Sequence, residues 1–200
     1  MNTENAVKVP PRPKCIIVTG RPGAGKTTLA RELSHLVHMP LLSRDEMKEG
    51  FVTTFGVSHE ELAPDTNRVV TDAFFSIVRS VLQARVSLVV EAAFQHKLWS
   101  EAVAAWSNVG ELRFIICEAE PLLCAQRHLD RGLADPTREV YHGDRRVKVF
   151  RETGEFLPPG DYSPPSFDLP TLSVTTADGY TPDLPAIKGF ILGREDHAGQ

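Results

Sequence analysis

The sequence predicts an α/β protein built on a parallel sheet, because short apolar runs of strand character alternate with helical patterns along the chain. These runs are apolar almost throughout, which suits strands that helices cover on both faces of the sheet. The composition agrees with this class, since 42% hydrophobic and 24% charged residues are typical of a globular domain. A chain of 200 residues is long enough for one such domain.

Five runs have strand character and are predicted as the strands of the sheet. In chain order they are Cys15–Thr19, Pro40–Ser43, Val86–Glu91, Leu112–Cys117 and Thr171–Thr175.

The segments between these strands carry apolar residues at helical spacing. The helix after the first strand is predicted from Leu29, Leu33, Leu36 and Val37. The longest helix follows Pro64 and Asp65, and two adjacent stripes predict a wide apolar face for it. The stripes are Val69, Ala73, Ile77, Val81 and Val70, Phe74, Val78, Leu82. Two more helices contain Trp99, Val103, Trp106 and Leu122, Leu123, Leu129. The tryptophans are interpreted as core residues rather than as a platform for stacking bases.

The termini and the cysteines bear on organisation and location. Residues 1–13 are polar and contain prolines, so we predict a flexible tail there and a single domain over residues 14–200. The tail lacks the apolar stretch of a signal peptide, and no run approaches the roughly 20 residues of a membrane span. Cys15, Cys117 and Cys124 are an odd number in apolar settings, which favours reduced core thiols. We therefore expect a cytoplasmic monomer or small homo-oligomer with no membrane partner.

The segment GRPGAGKT, Gly20 to Thr27, matches the phosphate-binding pattern G-x-x-x-x-G-K-[ST]. Glycines let successive backbone N–H groups turn toward a phosphate, Lys26 supplies a positive charge, and the Thr27 hydroxyl ligates Mg²⁺. A strand precedes the loop and a helix follows it, so the helix N-terminus points at the anion. The segment predicts a nucleoside triphosphate site. Its predicted nucleotide-binding residues are Gly20, Gly23, Ala24, Gly25, Lys26, Thr27 and Thr28.

Asp45 follows the second predicted strand, where a parallel sheet opens its crevice. Its carboxylate could accept the proton of an attacking hydroxyl, or hold a water on Mg²⁺. The alternative is an N-cap of the next helix, a position for which Ser43 and Glu46 also qualify. Arg44 and Lys48 flank Asp45 and suit an acceptor that bears a negative or strongly polar group.

Glu91 ends the third predicted strand after four apolar residues and is not expected to serve packing, because burying an unpaired carboxylate costs several kcal/mol. We expect it to face the cleft, where it would orient Mg²⁺-bound water, contact the acceptor or pair with Arg44. Phe94 is a candidate for the wall of the acceptor pocket, with core packing as the alternative.

Residues 127–151 hold seven basic against four acidic residues, although the whole chain has a net charge of −4. Beside a triphosphate site this surplus predicts a lid, with a solvated helical face as the alternative. Arg127 and Arg131 are four residues apart and so lie on one side of a helix. Arg127 could then lie against adenine, while Arg131 would meet the charge of the transferred phosphoryl group. The proline-rich stretch 156–170 is predicted to be a structured surface loop.

These segments together resemble the small P-loop kinases, a group that includes adenylate, shikimate and gluconate kinases, chloramphenicol phosphotransferase, zeta-type toxin kinases and the 5′-kinase domain of polynucleotide kinases. The resemblance covers about residues 14–192. It rests on Gly20 to Thr27, on SRDEMK (43–48), VVEAAF (89–94) and Arg127-x-x-x-Arg131, and on VTTADGY (174–180).

The resemblance implies a three-layer fold whose five-stranded parallel sheet has the order 2-3-1-4-5, a basic lid, and ATP as phosphoryl donor. It also implies roles for residues: the general base at Asp45, a lid arginine at Arg131, adenine packing from Arg127, and a base contact from the Thr176-Ala177-Asp178 loop.

Three functions are compatible with the sequence. The leading one is an ATP- and Mg²⁺-dependent kinase of a small hydroxylated compound, such as a sugar, a nucleoside or an antibiotic. The second is a 5′-hydroxyl polynucleotide kinase, which the Arg44-Asp45-x-x-Lys48 string suggests. The net charge of −4 weakens it, so no nucleic-acid partner is expected. The third is a nucleotide-dependent switch ATPase without an acceptor, for which Glu91 stands where a Mg²⁺-binding acid is expected.

Overall fold

The computed structural model describes residues 11–193, and its centre is a five-stranded parallel sheet in the order β2-β3-β1-β4-β5. The strands are β1 Lys14–Gly20, β2 Leu41–Ser43, β3 Leu88–Glu91, β4 Glu111–Glu118 and β5 Thr171–Thr175. This architecture confirms the predicted fold class and strand order. The strands are parallel, so their carboxyl ends meet at one edge, where an α/β sheet binds its ligands.

Eight α-helices are described, together with a 3-10 helix at His59–Glu61. The α-helices are α1 Lys26–Val37, α2 Arg44–Phe55, α3 Thr66–Gln83, α4 His96–Trp106, α5 Pro121–Ala134, α6 Thr137–His142, α7 Arg145–Thr153 and α8 Leu184–Leu192.

The core has two parts, one on each face of the sheet, which makes the three predicted layers. On one face α3 and α4 pack aromatic side chains against the strands, among them Phe74, Trp99 and Trp106. On the other face Leu29 and Leu33 of α1 pack with Ile187 and Ile191 of α8. Burial of apolar surface on both faces is the main stabilising contribution of such a fold.

The apolar face of α3 is narrower than predicted. Val70, Phe74, Val78 and Leu82 are buried as one stripe. In the second predicted stripe Val69 and Ile77 are exposed, because successive residues of a helix point about 100° apart and the sheet covers a single side. Trp99 and Trp106 are fully buried, in agreement with the interpretation as core residues.

The predicted lid consists of the end of α5 followed by α6 and α7. Gly132 of α5 lies against Val147 of α7, and a Cβ at Gly132 would overlap the Val147 side chain. His128 of α5 also contacts the carboxylate of Asp144, which caps α7 through the Arg146 backbone N–H at 3.0 Å. Two close contacts therefore hold α7 against α5.

Residues 1–10 of the predicted tail and residues 194–200 of the predicted domain lie outside the described residues. Within that tail Pro13 is buried, and its carbonyl accepts a hydrogen bond from the Glu111 N–H at 2.8 Å. None of the described helices combines the length and hydropathy that a membrane crossing requires.

Candidate active site

The loop between β1 and α1 forms a backbone cradle at the carboxyl edge of the sheet. Gly23 and Gly25 have φ angles of 85° and 77°, in the left-handed region that favours glycine. A Cβ at Gly23 would also overlap the carbonyl oxygen of Cys124 on α5. Lys26 is the first residue of α1, so the N–H groups of the helix start face the same space. The cradle has the geometry of an anion site.

Lys26 places its ammonium group in this cradle while only 7% of the residue is exposed. Its Nζ donates to the carbonyl oxygen of Arg21 at 3.1 Å. Burial lowers the pKa of Lys26, whereas the negative charges of Glu91 and Asp45 act to raise it. A bound phosphate would add negative charge beside this buried cation and favour its protonated form.

A cavity of about 370 Å³ opens beside the cradle and brings the predicted catalytic residues together. Its lining includes Lys26, Thr27, Asp45, Glu91 and Arg131. These residues come from the starts of α1 and α2, the end of β3 and the lid. Because they meet only in the folded chain, their convergence marks this cavity as the candidate active site.

Asp45 presents a partly exposed carboxylate to the cavity. Its neighbour Ser43 is the N-cap of α2, accepting a hydrogen bond from the Glu46 N–H at 3.5 Å. The alternative role of Asp45 as the helix cap is therefore not what the structure shows. Asp45 forms an ion pair with Arg44 at 3.5 Å, and half of its side chain remains exposed. Part of the carboxylate surface is therefore open to a ligand in the cavity.

Glu91 is buried, with 2% of the residue exposed, and its Oε2 accepts a hydrogen bond from the Ser43 hydroxyl at 2.8 Å. Burial raises the pKa of Glu91, and the Lys26 charge and the Ser43 hydrogen bond act against this shift. Of the three expected roles, pairing with Arg44 does not occur, because the Arg44 guanidinium bonds Asn67 and Asp45 instead.

The two lid arginines differ in their contacts. Arg127 donates to the carbonyl oxygens of Thr176 at 3.0 Å and Ala177 at 2.7 Å. Arg131 makes no side-chain hydrogen bond or ion pair within the described part of the chain. Both line a small cavity of about 180 Å³ over Gly23, Gly25, Lys26, Thr27 and Thr28. Arg127 therefore fixes the loop after β5, and Arg131 keeps its charge available for a ligand.

Thr176 joins that loop to the phosphate-binding loop. Its hydroxyl donates to the carbonyl oxygen of Ala24 at 2.8 Å, and the residue is buried. The side chain that was predicted to bind the nucleotide thus serves to hold the two loops together. The carbonyl oxygen of Thr176 accepts a hydrogen bond from Arg127. An adenine contact from this loop would therefore come from residues next to Thr176.

Three predicted acceptor residues lie outside the cavity lining. Phe94 is buried among Phe74, Phe75 and Trp99 with ring centroids 5.1–6.1 Å apart, because edge-to-face aromatic packing is available there. The Arg44 guanidinium donates a hydrogen bond to the side-chain oxygen of Asn67. Lys48 is 4% exposed, and burial together with Arg44 lowers its pKa to about 8. The structure brings none of the three to the cavity surface.

The cavity also contains residues that the sequence did not single out, namely Arg138, His142 and Arg145 of the lid. Arg138 and Arg145 resemble Arg131 in having no side-chain hydrogen bond or ion pair among the described residues. By contrast, Arg151 bonds Glu139 and the carbonyl of Gly132. The only available signal was the basic surplus of 127–151, which does not distinguish a paired arginine from an unpaired one.

The residues present fit a nucleoside triphosphate and a hard divalent cation. Gly23 and Gly25 adopt the left-handed backbone of the cradle just before the N-terminus of α1, which suits phosphate oxygens. Thr27 supplies a hydroxyl, and Glu91 a buried carboxylate, to the same cavity. Such oxygen donors suit Mg²⁺, which keeps several waters and is shared with substrate phosphates.

A family model for the AAA domain matches residues 15–151, which are more than half of the chain. The chain belongs to the AAA domain family. No protein of curated function matches it in sequence.

Solved structures place this AAA domain chain among small P-loop kinases. A protein of Chloroflexus aurantiacus J-10-fl, provisionally named a kinase, is 26% identical over 92% of this chain and 96% of its own, with a TM-score of 0.69. The APS kinase of Mycobacterium tuberculosis, solved with AMPPNP and APS, is 17% identical over 85% and 92%, with a TM-score of 0.56. A chain of the Pnkp1/Rnl/Hen1 RNA repair complex is 18% identical over 80% of this chain but 51% of its own, with a TM-score of 0.53.

The family match and the kinase neighbours together confirm the predicted small P-loop kinase group. They support nucleotide-dependent phosphotransfer as the activity of this AAA domain.

Proposed function

We propose that the protein is an ATP- and Mg²⁺-dependent kinase that transfers the γ-phosphoryl group to a hydroxyl of a small molecule of the sugar, nucleoside or antibiotic class. One observation carries the proposal: the Asp45 carboxylate shares a single cavity with Lys26, Thr27 and the guanidinium of Arg131, which has no partner in the described part of the chain. A proton acceptor next to a phosphate cradle is the arrangement that a hydroxyl-directed kinase requires.

Each residue has a distinct part in this chemistry. The loop N–H groups and Lys26 bind and orient the β- and γ-phosphates. Thr27 and Glu91 would hold Mg²⁺, which when bound neutralises charge on the phosphates. Arg131 offsets the negative charge that spreads over the transferred oxygens in the transition state. Asp45 orients the acceptor hydroxyl and takes its proton.

The acceptor is proposed to carry negative charge. Arg138 and Arg145 line the cavity without partners of their own among the described residues, and Asp45 is the nearby carboxylate that would receive the hydroxyl. Unpaired guanidinium groups bind carboxylate or phosphate groups well, because they present several donors in one plane. A small anionic alcohol would meet both requirements at once.

A 5′-hydroxyl polynucleotide kinase is the second candidate, favoured by those same unpaired arginines. Against it, residues 152–200 hold eight acidic and two basic residues, and this charge would repel a passing nucleic-acid backbone. We further propose that the protein has no nucleic-acid or membrane partner and acts in the cytoplasm as a monomer or small homo-oligomer. A switch ATPase without an acceptor is the third candidate, since Glu91 stands where such proteins need a metal-binding acid.

An acceptor screen by coupled ADP release tests the proposal. The panel contains sugars, nucleosides, aminoglycoside and phenicol alcohols, their anionic derivatives, and a 5′-hydroxyl oligonucleotide. ADP formation that depends on a small alcohol supports the proposed kinase. A steady rate without any acceptor supports the switch ATPase, and preferential labelling of the oligonucleotide supports the polynucleotide kinase.

A further inference from the structure

A second and larger cavity, of about 560 Å³, lies next to the candidate active site. It is bounded by the phosphate-binding loop, α5, the start of α7 and the proline-rich loop at residues 157–162. Four residues, Pro22, His128, Asp144 and Arg145, line both cavities. The two cavities are therefore neighbouring compartments that share one wall.

The walls of this second compartment are held by arginines. Arg21 of the phosphate-binding loop donates to the carbonyl of Gly160, and its guanidinium carbon lies 5.6 Å from the centre of the Tyr162 ring. Arg146 of α7 donates to the carbonyls of Leu157 and, at 3.0 Å, Pro158. The proline-rich loop is thus bonded to both the phosphate-binding loop and the lid, so the compartment has a built wall.

The lining of the second compartment combines apolar groups and arginines with two carboxylates, Asp144 and Asp161. Ala125, Leu157 and Pro159 give it an apolar surface, and Tyr162 adds an aromatic ring. Arg145 has no side-chain hydrogen bond or ion pair among the described residues. The charge of Asp144 is already engaged by His128 and by the cap of α7.

The shared wall contains a polar atom without a partner. Nδ1 of His128 is buried and makes no hydrogen bond within residues 11–193. Its other ring nitrogen contacts Asp144, so Nδ1 is the ring nitrogen that has no partner among these residues. An unsatisfied buried nitrogen costs free energy, so a polar partner at this position would stabilise the protein.

We propose that the second compartment is a subsite for the distal part of the phosphoryl acceptor, and that it takes a planar ring bearing a negative charge. The hydroxyl of the same molecule would lie at Asp45, and Arg145 would meet the charge of the ring. This inference rests on the proposed kinase function and deepens it, because it describes the acceptor as an elongated molecule with an anionic ring.

Binding of 2-naphthoate, monitored by protein-observed NMR, tests the ring-binding part of the inference alone. Its addition to the full chain shifts the amide signals of Ala125, Arg145, Leu157 and Tyr162. Arg145→Ala weakens the binding about tenfold, the loss expected for one hydrogen bond to a charged group. Lys148→Ala is the matched control, since it removes one positive charge from the same helix outside both cavities and leaves the binding unchanged. The inference is overturned by absent shifts up to about 5 mM, by shifts elsewhere, or by equal binding to Arg145→Ala.

The link to catalysis is tested with two pairs of alcohols in which one member carries an anionic ring and the other does not. Ribose is compared with orotidine, and methyl β-D-glucopyranoside is compared with 4-carboxyphenyl β-D-glucopyranoside. Where a pair is phosphorylated, the ring-bearing member has a kcat/KM about tenfold higher, and Pro159→Trp, which fills the compartment, abolishes that ratio. An equal ratio in the wild type and the variant contradicts the acceptor role. If no alcohol yields ADP while 2-naphthoate binds as described, the kinase proposal fails and the ring subsite remains.

Discussion

The hydroxyl of Ser43 donates a hydrogen bond of 2.8 Å to Oε2 of Glu91, and thereby joins the ends of β2 and β3. The same hydroxyl oxygen accepts the N–H of Glu46 at the start of α2. The side chains of Ser43 and Glu91 are both buried. A single hydroxyl therefore sets the position of the buried carboxylate relative to the helix that carries Asp45.

Variants of Glu91 and Ser43 can distinguish the structural role of Glu91 from its chemical role. Glu91→Gln keeps an oxygen for Ser43 and removes a buried charge, so we expect the free energy of unfolding to change by about 1 kcal/mol or less. Turnover should fall by about two orders of magnitude or more, because a metal ligand is lost. Ser43→Ala should destabilise by about 1–3 kcal/mol, since Glu91 loses its donor and α2 its cap. Denaturant unfolding and initial rates measure both effects, and stable, fully active Glu91→Gln protein would show that the carboxylate has no chemical role.

Lys26→Ala is expected to lower turnover by about 10²–10³-fold or more while the fold is retained. Its ammonium is buried and its pKa lowered, so removing it relieves a cost to the folded state instead of breaking the core. Arg31→Ala on the same helix is the control, because Arg31 is an exposed residue whose one ion pair within residues 11–193 is with Glu46. Circular dichroism and coupled ADP release make the comparison. Rates within a few-fold of wild type would contradict the active-site assignment.

Asp45→Asn should reduce kcat by about 10²–10⁴-fold and leave the affinity for an ATP analogue nearly unchanged. The amide keeps the shape of the side chain but cannot take the acceptor's proton. Glu46→Gln removes a charge from the same helical turn and should act only through the exposed contact with Arg31. Stopped-flow binding and steady-state rates distinguish the two variants. A similar small loss from both would make Asp45 a surface carboxylate.

The fold and the phosphate site could be predicted because they depend on local patterns. Apolar runs gave strand positions that differ from the observed limits by two residues or fewer, and the glycines and Lys26 form one continuous motif. Phe94 could not be placed, since an aromatic side chain after a strand suits either a pocket wall or the core. In the folded chain the aromatic cluster around Phe74 and Trp99 was available, and the ring packs there.

The charged residues of the lid show more clearly that contacts between distant segments cannot be predicted from local patterns. Seven basic residues are visible in residues 127–151, but pairing depends on distant segments of the chain. Arg127 finds carbonyl oxygens about fifty residues away, while Arg131 and Arg145 find none among the described residues. The close approach of Gly132 to Val147, which closes α7 on α5, is likewise a property of helix packing.

Alanine substitutions of the two lid arginines should impair different steps. Arg127→Ala releases the loop at Thr176 and Ala177, so it should chiefly weaken nucleotide binding, by about 0.5–2 kcal/mol. Arg131→Ala should leave nucleotide affinity within a few-fold and lower kcat by about 10²-fold or more, since its charge is used as the phosphoryl group transfers. Titration with an ATP analogue and kcat measurements separate the effects. Equal and small changes in both would place these arginines on a solvated helix face.

Lys48 provides a test in which pH reveals the cost of a buried charge. Burial and the nearby Arg44 lower its pKa from 10.5 to about 8, and Asp45 only partly opposes this shift. Between these two values the unfolded chain holds a proton that the folded chain does not, so the Lys48 contribution to stability rises with pH. Below pH 8 both states are protonated, and the full cost of burying the cation applies.

Lys48→Met should therefore be more stable than wild type by about 1–3 kcal/mol at pH 7. The difference should shrink through pH 8–10 and vanish near the pKa of an unfolded lysine. Urea unfolding of both proteins at several pH values measures this difference, in which all other titrating groups cancel. Lys188→Met, a change on α8 far along the chain, is the control for the loss of a positive charge. A difference between wild type and Lys48→Met that does not depend on pH would contradict a lowered pKa. A variant that is less stable at pH 7 would show instead that Asp45 and its neighbours need the Lys48 cation to hold the site together.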